Sequence, residues 1–285
     1  MKKQKEKFSS IKMSNMPLRV VGKSFVYAYA LVLIIPLAFA VFTSFKTSSE
    51  RVVSPLGLPE AWKFDNYRTA WIQGELLNAT KNSVILAVGT VVLLLINVVL
   101  ITYCLDRVRN TKLGNAIHMF ILAQMVIPGT GGATTLMLRR ELGLYNNLWG
   151  EIICGACSIT FGVFTISGFL RTIPGEMREA AMIDGANDFQ IVTRIIVPVI
   201  RPALVTVGIM SFTGSWNNTM GALIYLRDKE LYTIPMSLLL NFTSQFSVAY
   251  EKMFAGVIMT CIPLVVIYCF CQKYFISAMA GSVKG

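Results

Sequence analysis

The sequence predicts an all-α, polytopic membrane protein with six transmembrane helices, and three observations carry that prediction. Six stretches without Asp, Glu, Lys or Arg read as spans: residues 24–45, 82–105, 113–138, 152–170, 202–226 and 253–272. Only 14% of the 285 residues are charged and 54% are apolar, whereas ordinary globular chains carry about 25% charged residues. The basic residues also alternate in density from one connecting segment to the next.

Each charge-free run is 19 to 26 residues long. A helix rising about 1.5 Å per residue needs about 20 residues to cross a hydrocarbon core of about 30 Å. Lipid cannot satisfy backbone polar groups, so a spanning segment is a helix or part of a closed barrel, and runs this uniformly apolar exclude the alternating barrel pattern. The chain divides into a tail over 1–23, a transmembrane domain over 24–272 and a second tail over 273–285.

In the first run, Ala38 and Ala40 imitate a signal-peptidase site behind a lysine-rich head. The apolar stretch exceeds the roughly 7–15 residues of a signal h-region, so a retained anchor helix is expected. With the first tail inside, the inner segments hold 16 Lys/Arg against 6 Asp/Glu, and the outer segments hold 10 against 9. The positive-inside rule then places both termini in the cytoplasm, and the net charge of +11 reports orientation rather than a nucleic-acid partner. Pro36, Pro128 and Pro263 interrupt three runs and receive no functional role. Between the first two runs, Trp62, Phe64, Tyr67 and Trp71 suit a short helix at headgroup level.

Signatures of stand-alone chemistry are weak. Cys154 and Cys157 form a CxxC without a second ligand pair, inside or at the edge of an apolar run like the other four cysteines. His118 is the lone histidine and reads as a packing residue. Gly22-Lys23-Ser24 resembles the end of a phosphate-binding loop, but position 17, where that motif needs glycine, is Pro17. The runs contain no ionised group, which disfavours a proton-coupled pump or an intramembrane enzyme. No metal site, catalytic residue or cofactor is therefore expected on this chain.

The 31-residue loop 171–201 is the longest inner connection between runs. Pro174 suits a first helical turn, and Glu176 and Glu179 lie near its positive end. Asp184-Gly185 stops that helix, and Asn187 with Gln190 forms a capping box for a second one that ends near Pro198. Two short helices joined at a glycine turn can enter a groove on another protein and pass motion to the flanking spans.

On these residues the chain resembles a known family. Glu179-Ala180-Ala181, Asp184-Gly185-Ala186, Ile195, Pro198 and Pro202 are similar to the EAA signature of ABC-importer permeases. Asn66-Tyr67, Leu142-Gly143-Leu144 with Asn146, Trp216-Asn217-Asn218 and Val283-Lys284-Gly285 extend the likeness across nearly the whole chain. It resembles the carbohydrate class in particular, and within it the second permease subunit of maltose-type importers. The run Pro128-Gly129-Thr130-Gly131-Gly132, and Thr134-Thr135 where similar sequences often have proline, depart from the pattern.

The resemblance implies a type I importer fold and a heterodimer with a second permease. It also implies two ATPase subunits that bind ATP and magnesium, and a solute-binding protein. Glu179, Asp184 and Gly185, with Ala180, Ala181 and Ala186 around them, match the residues that couple to the ATPase. Residues 281–285 match a tail that reaches between the ATPases.

For the transported molecule the polar residues within the runs are the guide: Gln124, Ser211, Thr213, Ser215, Trp216, Asn217 and Asn218. Amides and hydroxyls exchange hydrogen bonds with a polyol and an indole stacks on a sugar face, so the set suits a neutral sugar or oligosaccharide. The same residue types also bond helix to helix within membranes. Two alternatives remain: a stand-alone secondary carrier for a small polar solute, which would move substrate without an ATPase, and an ABC permease for a non-sugar solute such as a glycerol phosphate.

Overall fold

The computed structural model describes residues 16–126, 132–171, 173–244 and 247–282. The N-terminal residues 1–15, most of the glycine-rich run (128–131) and the terminal Val283-Lys284-Gly285 lie outside the described residues. Among the described residues the regular structure is helical, apart from one isolated bridge between Thr243 and Val248.

In chain order the helices are α1 (Met16–Ser44), α2 (Ser48–Val53), α3 (Asp65–Gln73), α4 (Leu76–Arg107), α5 (Lys112–Ala123), α6 (Ala133–Glu141), α7 (Leu148–Ala156) and α8 (Thr160–Leu170). They continue as α9 (Gly175–Ile183), α10 (Asp188–Ile191), α11 (Val197–Val199), α12 (Arg201–Trp216), α13 (Thr219–Tyr225), α14 (Ile234–Phe242) and α15 (Tyr250–Ser282). A π-helical turn, Val192–Ile196, joins α10 to α11, and a 3₁₀ turn, Lys229–Leu231, precedes α14.

Among the described residues two helices are individually long and apolar enough to cross a bilayer, Val20–Ser44 and Leu76–Arg107. Two further stretches qualify only as bent pairs: Leu148–Ala156 with Thr160–Leu170 at 40°, and Asp188–Val199 with Arg201–Trp216 at 81°. A charge-free run is thus not always one straight helix. The 81° bend has an identifiable cause, since Pro198 lacks the N–H that a regular helix would supply to Arg194, and the backbone widens into the π turn just before it. Pro202 then sits in the first turn of α12, where no donor is needed. Pro36 and Pro263, in contrast, lie inside continuous helices.

The long helix α4 forms the centre, packing against α3, α5, α7, α8, α12 and α14. Lipid is as apolar as a leucine side chain, so helices in it associate through close fit rather than through a hydrophobic drive. Small residues supply that fit here. A Cβ added at Gly162 on α8 would come within 2.7 Å of Val98 Cγ2 on α4, and one at Gly155 on α7 within 2.8 Å of Thr90 Cγ2.

Two apolar clusters flank α4. One gathers Val98, Val163, Ile166, Ile191, Ile200 and Ala203, joining α4 and α8 to the loop helices. The other gathers Ala70, Leu76, Ile234, Leu238 and Trp216, whose indole is 3% exposed and stacked on Phe212 at 5.4 Å between centroids. Helix α15 closes this second side against α1, α3, α12 and α14.

The connections at the α4 N-terminal end are tied by buried polar groups. Lys46, fully buried, donates to the carbonyls of Ser54 and Pro55 at 2.7 and 3.0 Å. Asn82 donates to the carbonyls of Glu230 and Tyr232, and Ser83 Oγ accepts from the Ile234 amide at 2.9 Å. Phe45 gathers Trp62, Phe64 and Tyr67 around it, so the aromatic segment expected at headgroup level folds back on the end of α1. In the isolated chain, Val20 to Leu37 of α1 touches almost nothing else.

Two substitutions test this packing. Gly162→Leu overfills the α4–α8 contact and is expected to lose about 1–3 kcal/mol of stability, read as a lowered melting temperature in detergent. Trp216→Ala empties a core position and is expected to lose about 3–5 kcal/mol by the same measurement.

Candidate functional site

The loop 171–201 folds as an elbow. Helix α9 runs Gly175–Ile183 and stops where the Gly185 backbone turns to φ +83°, a left-handed conformation that any side chain would strain. The Ala186 amide donates back to the Ala181 carbonyl at 2.9 Å, closing the turn. Asn187 then starts α10 with a reciprocal capping box, its side chain accepting from the Gln190 amide and its amide donating to Gln190 Oε1, each at 2.9 Å.

The six loop residues singled out in the sequence divide between two faces. Glu179, Ala180, Asp184 and Gly185 are exposed, while Ala181 and Ala186 pack against the apolar cluster around α4. Exposed beside the first four are Ile183 (86%) and Phe189 (75%), with Met177 and Met182 also open. Sequence reasoning missed this apolar knuckle; its signal was the presence of large apolar residues inside a charge-bearing loop.

The elbow is fastened to the C-terminal end of α4 at two points, and those residues were also missed. On the α9 side Arg178 pairs with Asp106. On the α10 side Asp188 accepts from Tyr103 Oη at 2.7 Å, and Arg107 Nη1 donates to both of its carboxylate oxygens, each at 2.7 Å. The tyrosine hydrogen bond and the Arg107 guanidinium hold the Asp188 carboxyl below its ordinary range. The charged form therefore persists through neutral pH. Nothing in the spacing of Tyr103, Asp106 and Arg107 pairs them with residues more than 70 positions away.

A groove with a cavity volume of about 400 Å³ lies between α4, α7, α8 and α12. Its polar lining is Thr90, Ser158, Ser211, Ser215 and Asn218, with Phe161 and Met210 among the apolar walls and no charged residue. Helix breaks border it: α7 and α8 part at residues 157–159, and α12 ends at Trp216 with Asn218 capping α13 through the Gly221 amide at 3.0 Å. Broken backbone is tolerated at membrane depth where it lines a cavity or is covered by protein.

Of the seven polar residues that guided the substrate reading, Ser211, Ser215 and Asn218 line this groove, whereas Trp216, Asn217, Thr213 and Gln124 do not. Trp216 lies in the core with no free face for a sugar, because α12 turns its indole toward α14 and Phe212. Asn217 and Thr213 are exposed, yet each side chain bonds its own helix, Asn217 to the Thr213 carbonyl at 3.0 Å and Thr213 to that of Ile209 at 2.8 Å. Gln124 is exposed and accepts from Thr160 Oγ1 at 3.3 Å.

Next to the groove the structure corrects the expectation that the apolar spans hold no ionised group. Glu151 is in the first turn of α7, 6% exposed, and pairs with Arg139, 9% exposed. The Arg139 guanidinium lies 3.5 Å from the Tyr225 ring centroid, and Asn218 donates to Glu151 at 3.4 Å. The physical reason is that Asn147 caps α7 five residues before the charge-free run begins, which carries Glu151 into the helix. Asn146 locks this end to the segment before α14, accepting from the Arg227 and Asp228 amides and donating to Asp228 Oδ2.

Residues 99–280 match the model of the family described as the binding-protein-dependent transport system inner membrane component. The arabinooligosaccharides transport system permease protein AraQ of Bacillus subtilis is 31% identical over 94% of this chain and 96% of its own. The diacetylchitobiose uptake system permease protein NgcG of Streptomyces coelicolor is 28% identical over 90% of this chain and 84% of its own. The fold is shared with a chain from the crystal structure of a bacterial ABC transporter involved in the import of alginate, at a TM-score of 0.79 and 24% identity, covering 92% of this chain and 98% of that one. The uncharged groove, the broken helices around it and the two-helix elbow are therefore features of a membrane permease, and the chain belongs to the family of inner membrane components of binding-protein-dependent transport systems.

Proposed function

We propose that this chain is one half of a heterodimeric pore that moves a neutral sugar or oligosaccharide across the cytoplasmic membrane, driven by ATP hydrolysis on two separate ATPase subunits. The observation that carries this reading is the elbow: an exposed apolar knuckle around a strained glycine turn, fastened at two points to one end of α4. A knuckle of this kind fits a groove on a partner protein. Its fastening lets displacement by the partner move α4 as a body instead of bending the loop.

In this reading the elbow faces the cytoplasm, both termini lie on that side and the six charge-free runs are six spans, three of them broken. The excess of basic residues in the inner segments supports that orientation. The lipid-length face of α1, free in the single chain, is available to lipid and to the second permease. The groove between α4, α7, α8 and α12 forms this chain's share of the sugar path, with Ser158, Ser211, Ser215 and Asn218 offering hydroxyls and an amide. Relatives named for arabinooligosaccharides, diacetylchitobiose and melibiose, raffinose and stachyose support a carbohydrate. The absence of a charged side chain from the groove lining favours a neutral one. A solute-binding protein delivers the substrate to the face that carries Asn146 and Asp228.

This chain's part in the work is mechanical. Closure of the ATPases on ATP and magnesium presses on Glu179, Asp184 and Gly185. The load passes through Arg178–Asp106 and Asp188–Arg107 into α4, and the α4 interfaces with α7, α8 and α12 open or close the groove.

Gly185→Arg is expected to insert normally and to lose co-purification with the ATPase subunits, since a bulky cation both strains the turn and blocks the knuckle; normal transport by this variant would refute the docking assignment. Asp188→Asn is expected to keep ATPase association while transport falls several-fold, because one of the two fastenings is cut. In the wild-type chain the Asp188 carboxyl has a depressed pKa. Its contribution is present above about pH 4, the unperturbed value, and lost only as pH falls through the depressed one. Transport measured from pH 8 to 5 is accordingly expected to show no inflection attributable to this clamp.

A further inference from the structure

Two adjoining cavities at the elbow end border the Asp106–Arg178 fastening, and their other polar residues have no role in that mechanism. One, with a cavity volume of about 40 Å³, is lined by Thr102, Asp106, Arg109, Asn115, His118, Ser167 and Arg171 among others. The second, of about 260 Å³, shares Asp106, Arg109, Leu170 and Arg171 and adds Arg178. Both are below the roughly 300–1,000 Å³ of pockets that enclose drug-sized ligands, and the space suits a small polar group. Among the described residues Asp106 is the one carboxylate in either lining, against three guanidiniums. Arg178 takes that carboxylate at close range, and Arg109 reaches it only at 3.8 Å. Two positive charges in the lining therefore have no matching anion.

The neutral lining points the same way. Ser167 and Asn115 bring a hydroxyl and an amide, both able to donate. His118 Nε2 is buried with no hydrogen-bond partner, although a buried ring nitrogen is costly to leave unpaired. Convergent arginines beside small donors are the arrangement that recognises a phosphate, whose several oxygens accept from planar guanidiniums. The place also fits: the cavities lie where α4 ends, α5 begins and α8 ends, which in the orientation proposed above is the headgroup level of the inner leaflet.

We propose that these cavities bind a phosphate group, presented by the headgroup of an anionic phospholipid of the inner leaflet, through Arg109, Arg171 and His118. The site adjoins Asp106 and Arg178, so an occupied headgroup stands against one of the two fastenings of the elbow. The leaflet assignment rests on the orientation proposed above, whereas the phosphate chemistry does not.

The test is native mass spectrometry of the delipidated full-length chain in detergent, titrated separately with dioleoylphosphatidylglycerol, dioleoylphosphatidylcholine and inorganic phosphate. Wild type is expected to hold phosphatidylglycerol several-fold more tightly than phosphatidylcholine. Arg109→Gln/Arg171→Gln is expected to weaken phosphatidylglycerol about tenfold. Lys23→Gln/Arg194→Gln, which removes the same charge outside the cavities, is expected to leave it unchanged. Arginine-dependent binding of inorganic phosphate without preference between the lipids would support the site and assign it a soluble phosphate. Equal binding of both lipids with no phosphate binding by wild type, or equal losses in the two double variants, would overturn the proposal. Hydrogen exchange on wild type covers a variant that fails to fold: phosphatidylglycerol should protect residues 106–118, and absence of protection counts against the site. Loss of ATPase association would strike the transport reading and leave these binding measurements standing.

Discussion

Everything distinctive in this molecule depends on keeping α4 a single rigid body. Its 32 residues extend about 48 Å at 1.5 Å per residue, more than the hydrocarbon thickness. Each end is fastened by polar groups that lipid alone could not satisfy. At the start, Asn82 and Ser83 hold the segment before α14; at the finish, Tyr103, Asp106 and Arg107 hold the elbow. In the proposed mechanism, a rod tied at both ends converts a push on the loop into movement of the whole bundle. A loop without those ties would absorb the same push in its own backbone.

The helices around that rod are of a different kind. Where α4 is continuous, the stretches facing it are interrupted at residues 157–159 and 217–218 and bent beside Ile200. Each interruption frees backbone groups that must find partners inside the membrane. The chain meets that need with its own side chains, Asn218 capping α13, Asn217 returning to the Thr213 carbonyl and a π turn absorbing Pro198. The residues that look most like sugar ligands in the sequence are partly occupied by this structural duty. What is left to line the groove is a thinner set of serines, a threonine and one amide.

Charge has been used sparingly, and at the ends. Arg139–Glu151 is buried and Arg51–Glu251 half-buried toward the end of the bundle where α4 begins, and the Asp106 cluster lies where α4 finishes. Removing one partner from a buried pair costs about 3–5 kcal/mol, because the other charge is left without compensation. Such pairs fix which helix ends meet and leave the apolar middle of the helices without charge.

The sequence by itself determined the elements whose causes are local. The apolar run lengths imposed helices, Gly185 and the Asn187–Gln190 box imposed the elbow, and the Glu179-to-Ala186 signature carried the family likeness. Only the tertiary structure decided which faces meet. It turned Trp216 into the core, buried Arg139 against Glu151, and brought Asp188 to Arg107 across 81 positions of chain. The physical reason is that helix formation follows from neighbouring residues and the solvent. Which side of a helix touches another helix in lipid is set by close fit between distant small residues, and by polar partners that no local spacing encodes.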